Sequence, residues 1–414
     1  MNARERFLET IVHFNQHVVP PKWEFGYWGS LIDDWYGEGL EKRHYPHVPK
    51  VISNPSASIA NAAWNSLNGN KLPKGIAVTG GGLYYPANDF ALDRDVMETL
   101  NMDRGQIVVN VNLLFHPMFD VEIIEEDAER LVYVDLEGVK KLFLKESENY
   151  PSPLAYPITH WESWERLKEE RLNTKDIAGR FPKHWAALLE NYKSRDYPLV
   201  LGGFPAGYFG TLATLMGYEN LFFNYYDDPR FIHDIQNTFT DLWIALYSEV
   251  LSQVDVDLYV FWEDISAGTG SMVSPAMMRE FMLPYYRRMT DFLRHHGVEA
   301  MFVDTDGDCF DIIPIFLEGG VTGMYPIEAS CGMDIVQVRN TFPQLQIMGG
   351  IPKYEIIYGK ERIDQILEPV QEVLKDGGYI PFGDHLISPG VLWTDFKYYR
   401  LQLNSILEKS RKYG

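Results

Sequence analysis

The sequence predicts an α/β protein: a (β/α)8 TIM barrel with an N-terminal helical and loop extension and a small β-hairpin insertion. Three observations predict it. Short apolar runs of strand length alternate with amphipathic helical stretches through the second half of the 414-residue chain. Their connections are short, and such alternation means parallel strands joined by right-handed crossovers. Ionisable residues stand just beyond the ends of the apolar runs, where barrels carry their chemistry.

The elements follow in chain order. Residues 1–20 read as an amphipathic helix that stops at Pro20 and Pro21. An aromatic and acidic patch comes next, containing Trp23, Glu24, Tyr27 and Trp28. Residues 45–75 are loop-rich, so 1–75 is taken as an extension. Strands are expected near 76–79 and 107–111. Residues 130–144 read as a hairpin turning on Asp135, Leu136, Glu137 and Gly138, an antiparallel insertion over 129–145. Helices at 160–172 and 183–194 lead to a strand at 198–204. A helix at 229–252 leads to a strand at 257–262 and a helix at 276–296, which Gly297 ends as a left-handed cap. The strands 299–303, 321–325, 346–350 and 378–382 then alternate with helices at 309–318, 333–341, 360–376 and 393–411. With the two early strands the count reaches eight. No linker or repeat interrupts the chain, so 1–414 reads as a single barrel domain.

Bulk composition narrows the function. The net charge is −21, which repels nucleic acid and anionic lipid and excludes both as expected partners. Two cysteines, Cys309 and Cys331, make no disulfide framework. There is no apolar run of membrane-spanning length, and the start lacks a signal-peptide core, so a cytoplasmic protein is expected.

Reading the strand ends in turn collects a candidate site. Tyr208 follows the strand at 198–204, and Glu263 with Asp264 follows that at 257–262. Asp304, Asp306 and Asp308 follow the strand at 299–303. Grouped carboxylates repel one another and are costly to desolvate, so they need a reason other than turn chemistry. Glu328 and Cys331 follow the strand at 321–325, Lys353 that at 346–350, and Asp384 with His385 that at 378–382. Asp304 and Asp306 are expected to act as acid/base groups or ligands, and His385 with Asp384 as a proton-transfer pair. Glu263 or Asp264 would orient a substrate, and Trp23, Tyr27 and Trp28 would wall off the mouth. Asp304, Asp306 and Asp384 would suit a divalent metal such as zinc, with metal-free acid/base chemistry as the reading weighed against it. Gly268 to Ser271 reads as a flexible loop or, lacking the full phosphate-loop pattern, an incomplete cradle.

Several segments carry a resemblance. They are Phe204 to Leu221, Phe261 to Asp264 with Met272 to Pro275 and Phe281 to Tyr285, Gly349 to Lys353, and Gly377 to His385 with Ile387 to Pro389. Over roughly 195–405 the chain resembles the uroporphyrinogen decarboxylase superfamily and its corrinoid-dependent methyltransferase relatives. The resemblance implies a (β/α)8 barrel and, as activity, decarboxylation in the manner of porphyrin-processing lyases. It also marks departures. The arginine-rich motif that grips substrate carboxylates in true uroporphyrinogen decarboxylases corresponds here to residues 23–28, which hold glutamate and no arginine. A polycarboxylate would meet repulsion there. The methyltransferase branch uses a His-x-Cys pair and a later Cys to hold zinc. Here Asp304 and Asp306 occupy the first place and Gly383 with Asp384 the second, so hard oxygens replace the soft ligands.

The expected function is therefore a uroporphyrinogen decarboxylase-like enzyme acting on a small-molecule substrate at the barrel mouth. Alternatives are a methyltransferase that works with a corrinoid protein, and a non-catalytic binder of a cationic or aromatic ligand. The family resemblance also implies a homodimer.

Overall fold

The computed structural model describes residues 1–43, 77–79, 83–84, 94–144, 151–387 and 389–410. The loop-rich reading of 45–75 lies outside the described residues. Eight strands form one parallel sheet: β1 (Leu83–Tyr84), β2 (Gln106–Val108), β3 (Leu199–Gly202), β4 (Leu258–Trp262), β5 (Ala300–Asp304), β6 (Gly323–Ile327), β7 (Gln346–Gly349) and β8 (Tyr379–Ile380). Among the described residues each pairs with its neighbours in this series, which is the strand order of a (β/α)8 barrel.

Strand alternation explains the layering. Val108, Val200, Leu258, Val260, Ala300, Phe302, Tyr325, Met348 and Ile380, drawn from β2 to β8, pack into one buried cluster. One contiguous cluster fed by strands from both ends of the sheet requires the sheet to curl on itself. The intervening residues, such as Tyr259, Phe261, Met301 and Val303, face the helices in a larger outer core.

The N-terminus plugs the bottom of this barrel. Phe7, Ile11 and Trp23 join the interior cluster. Gln346, at the start of β7, donates from Nε2 to the Ile11 carbonyl at 3.0 Å, and Gly378 N donates to the Thr10 carbonyl at 2.9 Å. The expected helix over 1–20 is shorter than its apolar pattern: Ala3–Phe7 is α-helical, Leu8–Val12 forms a π turn, and Phe14 at φ 51° has left the helix.

Other expectations need correction. The strand near 76–79 exists as Ala77–Thr79, but it pairs antiparallel with Gly26–Trp28 outside the main sheet; Leu83–Tyr84 takes the place beside β2. The hairpin at 130–144 turns where expected, with the Asp135 carboxylate accepting from Glu137 N at 3.0 Å and Val139 N at 2.8 Å. It is the centre of a four-stranded antiparallel sheet that also contains Glu122–Glu126 and Ser152–Ala155. The helix expected at 276–296 is two helices, Pro275–Phe281 and Leu283–His295, because Pro284 removes a backbone donor and fixes a new first turn. Among the described residues no helix is long and apolar enough to cross a membrane.

Candidate active site

Alternation along β4 and β5 builds the centre of the site. Leu258 and Val260 face the barrel interior, so Trp262 reaches its upper rim; Ala300 and Phe302 do the same, so Asp304 arrives there. Trp262 is in register with Asp304, and Asp304 with Tyr325, so the three stand abreast at the C-terminal ends of β4, β5 and β6. Asp304 is 8% exposed. Burial, and then the negative charges of Asp264 and Asp306, hold its carboxyl well above the usual aspartate range, against the pull of a hydrogen bond from Tyr325.

Asp264 lies half-buried beside it, with φ 44°, a left-handed backbone that Asp tolerates better than most residues. Desolvation raises its pKa well above the usual range, reinforced by Asp306, Glu263 and Glu328. Asp306 stands at the open edge, 3.3 Å from His385 Nε2. Phe25 stacks on the His385 ring with centroids 4.8 Å apart, which fixes the imidazole against the mouth. Asp264, Asp304, Asp306 and His385 are thus brought together.

The structure places the other expected residues in supporting positions. Glu263 follows Trp262 by one residue, so it points outward to the helices. It is fully buried and accepts from Tyr208 N at 2.8 Å, Phe209 N at 2.6 Å, Gly210 N at 3.2 Å and the Tyr286 hydroxyl at 2.6 Å. It secures the loop after β3 instead of meeting a substrate. Tyr208 is likewise in the outer core, its hydroxyl donating to the Tyr285 carbonyl at 3.0 Å.

Asp384 is buried, and its carboxylate accepts from Ser330 N at 2.7 Å, Ser330 Oγ at 2.6 Å and Lys353 N at 2.9 Å. It ties together the loops after β6, β7 and β8, and the half-exposed neighbour His385 is the residue that faces the mouth. Glu328 accepts from Gly307 N at 2.7 Å and lies 3.8 Å from Lys353 Nζ. Lys353 is therefore a buried, charge-matched group at the floor of the loops.

Three residues of the expected aromatic wall stand elsewhere. Trp23 is wholly buried in the barrel interior, packed on Phe7 at 5.8 Å and donating to the Arg104 carbonyl at 3.0 Å. Tyr27 packs edge-on to Trp35 and Phe396, each at 5.5 Å, in the outer core, and Trp28 packs partly buried against that core. Glu24 does not meet the substrate space either. It is fully buried, accepts from Gly383 N at 2.6 Å and pairs with Arg400 at 3.2 Å. Half-buried aromatic side chains that the sequence reading did not name as site residues stand around these groups: Phe25 on His385, and Phe204 edge-on to Trp262. Phe25 and Trp262 were legible from alternation relative to Glu24 and Glu263.

The expected metal set does not form. Both oxygens of Asp384 are taken by donors, and among the described residues no group of three or more His, Cys, Asp or Glu could hold a metal ion. Cys331 is half-buried beside Glu328, and burial with that neighbour pushes its thiol up to about 12, away from thiolate chemistry. Gly268 to Ser271 is part of a tight ladder, Ser266–Ala267 against Gly270–Ser271, whose Ala267 carbonyl accepts from Asp308 N at 2.9 Å.

The sequence matches the family described as Uroporphyrinogen decarboxylase (URO-D) over residues 104–392. The chain belongs to the uroporphyrinogen decarboxylase family. The matched span holds β2 to β8, the antiparallel insertion and every acidic residue of the mouth. Among solved structures, a methyltransferase from Methanosarcina mazei has the same fold, with a TM-score of 0.53 at 14% identity, covering 100% of this chain and 98% of that one. No curated protein matches the sequence.

Proposed function

We propose that this protein is an enzyme that delivers a proton to a small-molecule substrate at the barrel mouth, with Asp304 as general acid, and that its reaction is decarboxylation. The observation that carries the reading is an interior-facing carboxyl at the top of β5 that burial and acidic neighbours hold well above the usual aspartate range, which favours its protonated form. In this reaction the bond between the substrate carbon and its carboxylate breaks, and the electron pair stays on carbon. The Asp304 proton goes to that carbon, and carbon dioxide leaves. His385 and Asp306, at the open edge, return a proton from solvent to Asp304. Among the described residues the basic side chains near the mouth, Lys353, Lys141 and His385, each face a carboxylate. That balance supports a substrate with one carboxylate over a polycarboxylated porphyrinogen, and the enzyme is read as working in the cytoplasm.

Methyl transfer is the second reading, favoured by the end-to-end likeness to a methyltransferase fold. Asp304 would then protonate the leaving group while the methyl passes to a corrinoid on a partner protein. A screen of small carboxylic acids for carbon dioxide release decides between them. Release by the wild type, lowered about 10²- to 10⁴-fold in Asp304→Asn, is the expected result. Methyl transfer to reduced cobalamin without carbon dioxide would replace the first reading by the second.

A further inference from the structure

Between the antiparallel insertion and the barrel rim lies a cavity of 260 Å³ that the acid mechanism leaves unused. Tyr156 and Lys141 line it from the insertion, and Phe204, Trp262, Tyr218 and Asp264 from the barrel. Two glycines make room for its rings. A Cβ on Gly210 would fall 2.7 Å from the Trp262 indole, and one on Gly217, at φ 75°, would fall 2.4 Å from the Tyr156 ring. Phe204 meets Trp262 edge-on at 4.7 Å, leaving ring faces for the cavity wall. Lys141 is spoken for, 2.5 Å from Asp135 and 3.6 Å from Glu137, so it offers the cavity its stem more than its charge. Asp264 is different: among the described residues its carboxylate feels charges but no hydrogen-bond donor.

Size limits the occupant. A cavity of roughly 150 Å³ suffices for benzene, and drug-sized ligands take about 300–1,000 Å³. We propose that this cavity takes the flat ring of a small monocyclic aromatic substrate, with a polar substituent facing Asp264. The inference rests on the mouth being the active site and names the class of molecule it serves. The insertion sheet is then the specificity wall, placing the ring so that its reacting substituent reaches Asp304 across the Trp262 rim.

Calorimetric titration with two ketones of matched shape tests it. Acetophenone should bind the wild type about tenfold tighter than cyclohexyl methyl ketone. The preference should vanish in Trp262→Leu or Tyr156→Leu. Equal affinities for the two ketones, no binding of either, or a preference that survives both ring substitutions would overturn the proposal. Its fate is separable from that of the reaction. Acetophenone binding without carbon dioxide release from any aromatic acid keeps the ring site and removes decarboxylation, whereas release from aliphatic acids alone does the reverse.

Discussion

If Asp304 is the proposed general acid, one side chain couples stability to activity. Its ordinary value is 3.8, and the fold raises it. The folded state therefore holds this proton more tightly than the unfolded chain. The stability this supplies is complete below 3.8 and is lost as pH rises through the raised folded value. Asp304→Asn removes the cost of charging a buried carboxyl. In thermal unfolding it should equal the wild type near pH 4 and exceed it in alkaline buffer. Activity should move the opposite way: the wild type should decline on the alkaline side as Asp304 ionises, and the asparagine variant should lose that limb along with most of its rate. An alkaline limb unchanged in Asp304→Asn would assign the titration to another group. The identity of these acids was legible in the sequence, because Asp304 follows an apolar run with the right parity. Their collective pKa was not, since it depends on how closely loops from different strands approach.

At the scale of elements, carboxylates that looked catalytic turn out to hold loops and helix ends in place. Glu263 satisfies three backbone donors and one hydroxyl where the chain leaves β3 for the helix Gly210–Met216. Removing it leaves buried N–H groups unpaired at about 1–3 kcal/mol each. Glu263→Ala should therefore lower the midpoint of urea unfolding sharply, far more than Asp306→Ala at the exposed edge. Glu24 and Arg400 tie the N-terminal segment to the C-terminal helix Trp393–Ser410 with no exposure on either side. Arg400→Met leaves Glu24 buried without its counter-charge, an expected loss of about 3–5 kcal/mol in chemical denaturation. Pairing it with Glu24→Gln should restore part of that. Residues 24 and 400 lie far apart in sequence, and no local pattern announces the pair.

For the whole molecule, the barrel is closed from below by its own N-terminus. Phe7 is fully buried among strand residues of β2 to β8. Phe7→Ala should cost about 3–5 kcal/mol through the cavity it opens, seen as a lower thermal midpoint with an unchanged fold by circular dichroism. The order of the strands β2 to β8 and the amphipathic helices between them were determined by the sequence alone, because alternation and short connections admit few topologies. So was the membership of Asp304, Asp306 and His385 in one rim, since each follows a strand that must end at the same face. Only the tertiary structure decided which acids face the interior and which face the helices, and that Trp23 and Glu24 are internal. It alone showed the hairpin as a four-stranded wall enclosing a cavity. The reason is physical: hydrophobic period fixes what each segment becomes, but the partner of a buried polar group is chosen by long-range packing that no single segment encodes.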